Sequence, residues 1–170
     1  MTDRTLFYRR FFGRFATGVA VILTEEKDVV VGVTVNSLTS ASLDPLLLLF
    51  CISNESRTGQ AILRSRRFTV NILSSEQEPE ARYFASRKEV DHDFEYDRRE
   101  GFVWLARSNA VFCCSSAASH SAGDHRIIIG EVEDMFGPEE CVSSLAYHEG
   151  RYLNLESRPD TKSSDKGVTE

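Results

Sequence analysis

The sequence of 170 residues is short of cysteine and proline, with four of each, and it has no long apolar run. Its longest uninterrupted apolar stretch is LLLLFCI at 46–52, whereas a membrane-spanning helix needs about 20 such residues, so we expect no membrane partner. The first residues are too charged for a signal peptide, and no two cysteines form a C-x-x-C pair. These absences predict reduced thiols and a cytoplasmic location.

The sequence also lacks an excess of positive charge. Acidic residues number 26 against 20 lysines and arginines, which gives a formal net charge of -6 at pH 7. This balance argues against nucleic acid as a partner, although one local site on an acidic protein can still bind a small anion. The length fits one domain with a sizeable core, predicted over 1–155, followed by a disordered polar tail at 156–170.

β-branched and apolar runs predict a mainly β fold with flanking helices. Strands are expected at 19–24, 29–35, 46–52, 68–73, 109–119 and 125–136, with a last hairpin at 144–155, and the charged stretch 87–101 is expected to be a loop. Phenylalanines four residues apart (Phe7, Phe11, Phe15) predict a helix packed over the barrel end, with Gly18 ending it, and two further helices begin near Ser56 and Ser74. The unbroken apolar run at 46–52 indicates a strand covered on both faces. Without a βαβ rhythm, antiparallel pairing favours a barrel.

Small hydroxyl and amide side chains crowd the stretch 36–42, between two predicted strands. Serine, threonine and asparagine are turn formers, so a plain connecting loop is one interpretation. The alternation of the preceding strand continues into this stretch, which favours an extended wall instead. Such a wall leaves backbone N–H and C=O groups accessible, and Asn36 offers a donor and an acceptor together. A flat heteroaromatic ring with polar edges fits it.

The next segment, SNESRTGQ at 53–60, has the groups that bind phosphate. Ser53, Ser56 and Thr58 carry hydroxyls, Arg57 is cationic, and the start of a helix offers unpaired N–H groups. An ordinary helix N-cap beside a solvated arginine is the alternative. Placed one strand after the ring wall, the phosphate site makes a flavin nucleotide the favoured ligand.

Six motifs in this order carry a family resemblance: FATGVAVI, GVTVNSLTSASLDP, LLLFCISNESRT, FTVNIL, FA at 84–85 and GDHRIIIGEV. Between Phe11 and Tyr152 the chain resembles the short-chain flavin reductases, the reductase components of two-component flavin-dependent monooxygenases. The resemblance implies a six-stranded antiparallel Greek-key split barrel of the FMN-binding type, assembled as a homodimer. It also implies FMN or FAD as the flavin, NADH or NADPH as the hydride donor, and a flavin-dependent monooxygenase as the acceptor of reduced flavin.

The resemblance assigns roles to individual positions. Flavin binding falls to Thr34, Val35, Asn36, Ser37, Ser40, Ala41, Cys51, Ile52, Ser53, Ser56, Arg57, Thr58 and Phe84. The resemblance places five residues near the bound nicotinamide: Gly123, Asp124, His125, Arg151 and Tyr152. Of these, His125 is the candidate catalytic residue, which donates a proton or positions the nicotinamide. Two departures stand out: Leu46 replaces a usual second proline, and GFVWLA at 101–106 replaces the family's GAPLL, which leaves the nucleotide preference open.

Three other functions compete with this one. Cys113, Cys114, His120 and His125 could bind a metal ion, but adjacent strand residues point to opposite faces and the spacing matches no common zinc pattern. A hydrolase is a second alternative, but the sequence has no G-x-S-x-G motif. Within a strand, Asp124 is also not expected to orient His125 as the acid of a catalytic triad would. The third alternative is a split barrel that binds flavin without turning over NAD(P)H, or that oxidises another small molecule.

Overall fold

The computed structural model describes residues 3–86, 94–139 and 142–156. Within these ranges the helices are α1 (Asp3–Phe12), α2 (Arg57–Ser65) and α3 (Glu78–Ala85), with a 3-10 turn at Ser75–Gln77 before α3. The strands are β1 (Thr17–Gly18), β2 (Ala20–Glu26), β3 (Val29–Val35), β4 (Thr39–Leu43), β5 (Leu46–Ser53), β6 (Arg67–Ile72), β7 (Tyr96–Arg99), β8 (Phe102–Leu105), β9 (Ala110–Ala122), β10 (His125–Phe136), β11 (Ser144–His148) and β12 (Arg151–Leu155). The mainly β prediction with flanking helices is therefore confirmed.

Seven antiparallel strands form the principal sheet, in the order β3-β2-β6-β9-β10-β5-β4. Six strands were expected, and the seventh is β4, which is the hydroxyl-rich wall paired to the start of β5. Just after β3, Ser37 Oγ accepts a hydrogen bond from the Cys51 N–H at 2.9 Å and donates to the Cys51 carbonyl at 3.2 Å. These bonds join the β3 side of the sheet to β5, as the split barrel requires.

Two apolar cores lie on either side of β2. Inside the barrel, Phe50 and Phe68 meet edge to face with ring centroids 5.4 Å apart, among aliphatic side chains from β2, β5 and β10. On the other face of β2, Val21 and Leu23 pack against α3 and β8. Because both faces are covered, every apolar residue of β2 is buried.

Two packing predictions differ from the structure. Helix α1 ends at Phe12 rather than near Gly18 and buries none of its residues, so it does not cover the barrel end. On β5 burial alternates: Leu48, Phe50 and Ile52 are buried, but the side chains between them are only partly covered. The described part of the chain thus covers one face of β5 more fully than the other.

The charged stretch 87–101 is only partly a loop. Residues 87–93 lie outside the described residues, as does the predicted tail beyond 156. Tyr96–Arg99 pairs with Phe102–Leu105 in a hairpin that the sequence pattern did not predict. The fully buried Asn71 holds this hairpin to the barrel, because its Oδ1 accepts the Leu105 N–H at 2.9 Å and its Nδ2 donates to the Val21 carbonyl at 3.0 Å.

Candidate active site

A cleft of about 750 Å³ runs along the outer edge of β3, and the start of α2 and the end of α3 flank it. Its lining consists of residues 30–37, 51–53, 55–58 and 83–86 together with His125. All of the flavin-binding candidates except Ser40 and Ala41 are among these residues. Segments of β3, of the β5–α2 region and of α3, together with His125, therefore meet at one concave surface although they are distant in sequence.

The β3 wall offers mainly backbone to a ligand. The Thr34 hydroxyl donates to the Ala81 carbonyl at 2.7 Å, Val35 is buried, and the Ser37 hydroxyl is bonded to Cys51. Since β3 is the last strand on this side of the sheet, its outward N–H and C=O groups are not used by a neighbouring strand. An exposed Asn36 amide adds a donor and an acceptor, so the wall fits the polar edge of a planar ring.

The start of α2 forms the anion-binding end of the cleft. Ser56 is the N-cap in an extended conformation, and its Oγ accepts the Gly59 N–H at 3.3 Å. The other N–H groups of the first turn have no partner within the helix, and they carry partial positive charge. Arg57 is exposed beside them, whereas Thr58 is only 3% exposed. Arg57 and Ser56 are therefore more exposed than Thr58 at this end of the cleft, and the phosphate-binding roles of all three stay predictions.

Phe84 lines the cleft because the facing strand has no side chain at Gly32. A Cβ placed on Gly32 would lie 2.6 Å from the Phe84 ring and 2.5 Å from Leu23, so only glycine allows this approach. The ring also meets Tyr83 edge to face at 4.9 Å. Sequence reasoning found Phe84 but missed Gly32 and Tyr83, although a glycine within a strand is a known sign of close approach.

His125 is the first residue of β10 and lies beside Ser53 in the strand register. Its Nδ1 is 2.8 Å from Asp124 Oδ1, and this hydrogen bond is the main cause that lowers the pKa of the Asp124 carboxyl. Asn54 supports the turn by donating from Nδ2 to the Gly123 carbonyl at 3.0 Å and from its backbone N–H to the Asp124 carbonyl at 3.1 Å. Asp124 lies in the turn and its side chain is 94% exposed, so this contact is that of a strand-end histidine bonded to its neighbour and not that of the buried acid of a catalytic triad.

The remaining candidates do not line the cleft. Ser40 and Ala41 are exposed on β4, and Gly123 and Asp124 form the turn next to His125. Arg151 and Tyr152 lie on β12, in a separate three-stranded sheet where the Arg82 guanidinium stacks 5.0 Å from the centroid of the Tyr152 ring. The flavin-edge and nicotinamide roles of these six residues stay predictions.

Cys113 and Cys114 behave as core residues. Cys113 and Cys114 face opposite sides of β9 and belong to different apolar clusters. Burial raises the pKa of the Cys113 thiol to about 11 and raises that of Cys114 as well. In the described ranges no three His, Cys, Asp or Glu side chains come together in a way that could hold a metal ion.

Two further features complete the survey of the described residues. None of the helices in these ranges is long and apolar enough to span a membrane. A second cavity of about 530 Å³, lined chiefly by Trp104, Leu105, Val111 and Phe136, contains none of the predicted site residues.

Comparisons with known proteins agree with the geometry. Residues 12–156 match the model of the flavin reductase like domain. An NADH-dependent flavin reductase from a Rhodococcus species is 33% identical over 89% of this chain and 86% of its own length. The reductase subunit HsaB of a flavin-dependent monooxygenase from Mycobacterium tuberculosis is 36% identical over 91% of this chain and 84% of its own.

Solved structures give the same result. Flavin reductase PheA2 superposes with a TM-score of 0.84 at 34% identity, covering 92% of this chain and 100% of that one. The NADH:FAD oxidoreductase SgcE6 of Streptomyces globisporus, solved with NAD and FAD fragments, gives 0.83 at 31% identity, covering 94% and 95%. With a family match over most of its length and a cleft built from the predicted segments, the chain belongs to the flavin reductase like domain family.

Proposed function

We propose that the protein is an NAD(P)H:flavin oxidoreductase that reduces FMN or FAD and supplies the reduced flavin to a partner flavin-dependent monooxygenase. The observation that carries this proposal is the cleft itself, in which an open strand edge, a helix N-terminus and a histidine line one surface. Relatives named as NADH-dependent flavin reductases and as reductase subunits of monooxygenases support it. We also propose that it acts as a homodimer in the cytoplasm.

The residues of the cleft divide the work of binding and orientation. A bound flavin supplies the hydride-accepting chemistry, and the protein supplies position. The β3 edge and Asn36 fix the polar edge of the ring, while Arg57 and the α2 N-terminus hold the phosphate. Hydride transfer requires the donor carbon and the acceptor nitrogen to be close and aligned, so orientation accounts for much of the rate enhancement.

His125 is placed to act on the nicotinamide. The Asp124 carboxylate holds its Nδ1, which leaves Nε2 for the contents of the cleft. From there the imidazole can donate a hydrogen bond or a proton to the bound nucleotide. Asn54 keeps the Gly123–Asp124 turn in place and so keeps this orientation constant.

Two measurements on the purified protein test the proposal. Titration with FMN and with FAD should give saturable quenching of flavin fluorescence at micromolar concentrations, and NADH added with free flavin in air should be consumed catalytically. Absence of saturable binding for both flavins would overturn the proposal. Binding without NADH or NADPH consumption would support the alternative of a flavin-binding barrel that does not turn over.

A further inference from the structure

The two ends of the cleft differ in chemistry. Its formally charged lining residues in the described ranges, Glu55 and Arg57, lie just before and at the start of α2. The other end is formed by residues 30–33 of β3 together with Tyr83 and Phe84 of α3, and the described chain adds no charged lining residue there. We call this part the aromatic end of the cleft. One end therefore suits an anion, and the aromatic end suits an uncharged planar ring.

Tyr83 is half-buried at the aromatic end, and contacts on several sides hold it in place. Its ring meets Phe84 and Phe94 edge to face, with ring centroids 4.9 and 5.3 Å apart and interplanar angles of 88° and 76°. Its carbonyl accepts hydrogen bonds from the N–H and the hydroxyl of Ser86, both at 3.1 Å. A side chain held in this way loses little further rotamer freedom when a ligand ring stacks on it.

The position of the aromatic end is fixed relative to the predicted ring wall on β3. The Thr34 hydroxyl bonds the Ala81 carbonyl, which ties β3 to α3, and Gly32 lets Phe84 approach the strand. Gly32 and Asn36 are four residues apart, which is roughly 13 Å along a strand. A mononucleotide has one ring system and one phosphate, for which Asn36 and the start of α2 are the predicted sites. The aromatic end is therefore left for a second ring.

The strand edge beside Tyr83 indicates which kind of ring fits. No neighbouring strand uses the outward N–H and C=O groups of β3, so both donors and acceptors are available along this edge. Adenine has an amino donor next to ring-nitrogen acceptors, and it can bond both kinds of backbone group while its face stacks on Tyr83. FAD, NADH and NADPH all carry adenine, whereas FMN does not.

We propose that the aromatic end of the cleft binds the adenine ring of a dinucleotide, which stacks on Tyr83 and bonds the free edge of β3. The adenine comes from FAD or from NAD(P)H, and the chemistry of recognition is the same for both. The inference rests on the proposed function, in which a flavin and a pyridine nucleotide use this cleft. It adds Tyr83, which the sequence did not single out, as a residue that selects dinucleotides over mononucleotides.

Variants at Tyr83 test the stacking contact. Tyr83→Leu keeps an apolar side chain but removes the aromatic face, so it should raise the KM for NADH or the Kd for FAD at least about fivefold. The Kd for FMN and the KM for reduced nicotinamide mononucleotide, which both lack adenine, should stay close to their wild-type values. Tyr83→Phe is the matched control, because it keeps the ring and should behave as wild type. A loss confined to NADH assigns the adenine to the pyridine nucleotide, and a loss confined to FAD assigns it to the flavin.

Adenosine provides a test that needs neither turnover nor a flavin. It carries the adenine ring without a phosphate, so saturation-transfer NMR should detect it on wild type and on Tyr83→Phe but not on Tyr83→Leu. Adenosine should also displace the dinucleotide from the wild-type protein and leave FMN bound. Circular dichroism checks that each variant is folded, and if Tyr83→Leu does not fold, the displacement measurements on wild type decide the question.

The outcomes separate this inference from the function proposed above. Equal losses for mononucleotides and dinucleotides in Tyr83→Leu, displacement of FMN by adenosine, or no adenosine binding to wild type would each overturn it. A working reductase in which Tyr83→Leu matches wild type would also overturn it and leave the proposed function intact. A protein that binds adenosine through Tyr83 but consumes neither NADH nor NADPH would overturn the proposed function and leave this inference standing.

Discussion

His125 shows how much of a residue's role is set by its neighbours. The imidazole is partly exposed at the start of a strand, and its sequence position alone is compatible with an ordinary surface histidine. The structure places it on the cleft and bonds its Nδ1 to Asp124, in a turn to which Asn54 also bonds. Because the hydrogen bond lowers the pKa of Asp124, that carboxylate stays charged at neutral and mildly acidic pH and keeps its hold on Nδ1.

Replacing His125→Ala should separate flavin binding from nicotinamide chemistry. We expect the KM for NADH to rise, or the rate of flavin reduction to fall, on the order of tenfold or more, while the Kd for FMN changes little. Steady-state kinetics and fluorescence titration measure the two effects. The control is His120→Ala on the same hairpin, because His120 is exposed and does not line the cleft. Equal kinetics for wild type and His125→Ala would remove His125 from the mechanism.

Among the elements, α2 has two functions at one end. Ser56 caps the helix by accepting the Gly59 N–H, and the same turn faces the cleft with Arg57 beside it. At the other end of the helix, Arg64 forms a two-point ion pair with Glu26, and the hydrogen bond from Arg64 lowers the pKa of Glu26. The helix is thus anchored at its C-terminal end, and its N-terminal end is left for an anion.

Two substitutions at Ser56 should separate capping from phosphate binding. Ser56→Ala removes the cap and should lower the free energy of unfolding by about 1 kcal/mol. Ser56→Asp keeps a capping oxygen but adds a negative charge, so stability should be retained while flavin affinity falls on the order of tenfold. Urea unfolding and flavin titration check the pair. Unchanged FMN affinity in Ser56→Asp would place the phosphate elsewhere.

On the scale of the whole molecule, the β7–β8 hairpin is joined to the barrel by buried polar bonds. Asn71 bonds both Val21 of β2 and Leu105 of β8, and the Thr69 hydroxyl donates to the Val103 carbonyl at 2.6 Å. Breaking one of these buried contacts leaves a polar group without a partner, at a cost of about 1–3 kcal/mol each. The hairpin is therefore coupled to the barrel core.

This coupling predicts a single unfolding transition. Trp104, the only tryptophan, lies on β8 and packs edge to face on Phe136 with ring centroids 4.9 Å apart. Its fluorescence therefore reports the hairpin, whereas far-ultraviolet circular dichroism reports the whole sheet. We expect the two probes to give coincident urea transitions with the same midpoint. An earlier fluorescence transition would show that the hairpin unfolds separately from the barrel.

Prediction from the sequence succeeded where local chemistry is decisive. The Ser56 cap, the β9–β10 hairpin and the extended conformation of most of the predicted stretch 36–42, as β4, all follow from residue types and their spacing. It failed where the outcome depends on what packs against a segment. The phenylalanine spacing of α1 indicated a core helix, yet the described chain has no surface that covers it. The charged composition of β7 did not predict a strand, because the conformation of β7 depends on its pairing with β8.

By itself the sequence determined the strand-rich pattern, the Ser56 helix cap and the family resemblance, since these depend on residues that are neighbours along the chain. Only the tertiary structure decided that β3, α2, α3 and His125 share one cleft while Ser40, Ala41 and Tyr152 lie outside it. The physical reason is that antiparallel pairing sets which distant residues become neighbours, and this register depends on the packing of the whole sheet.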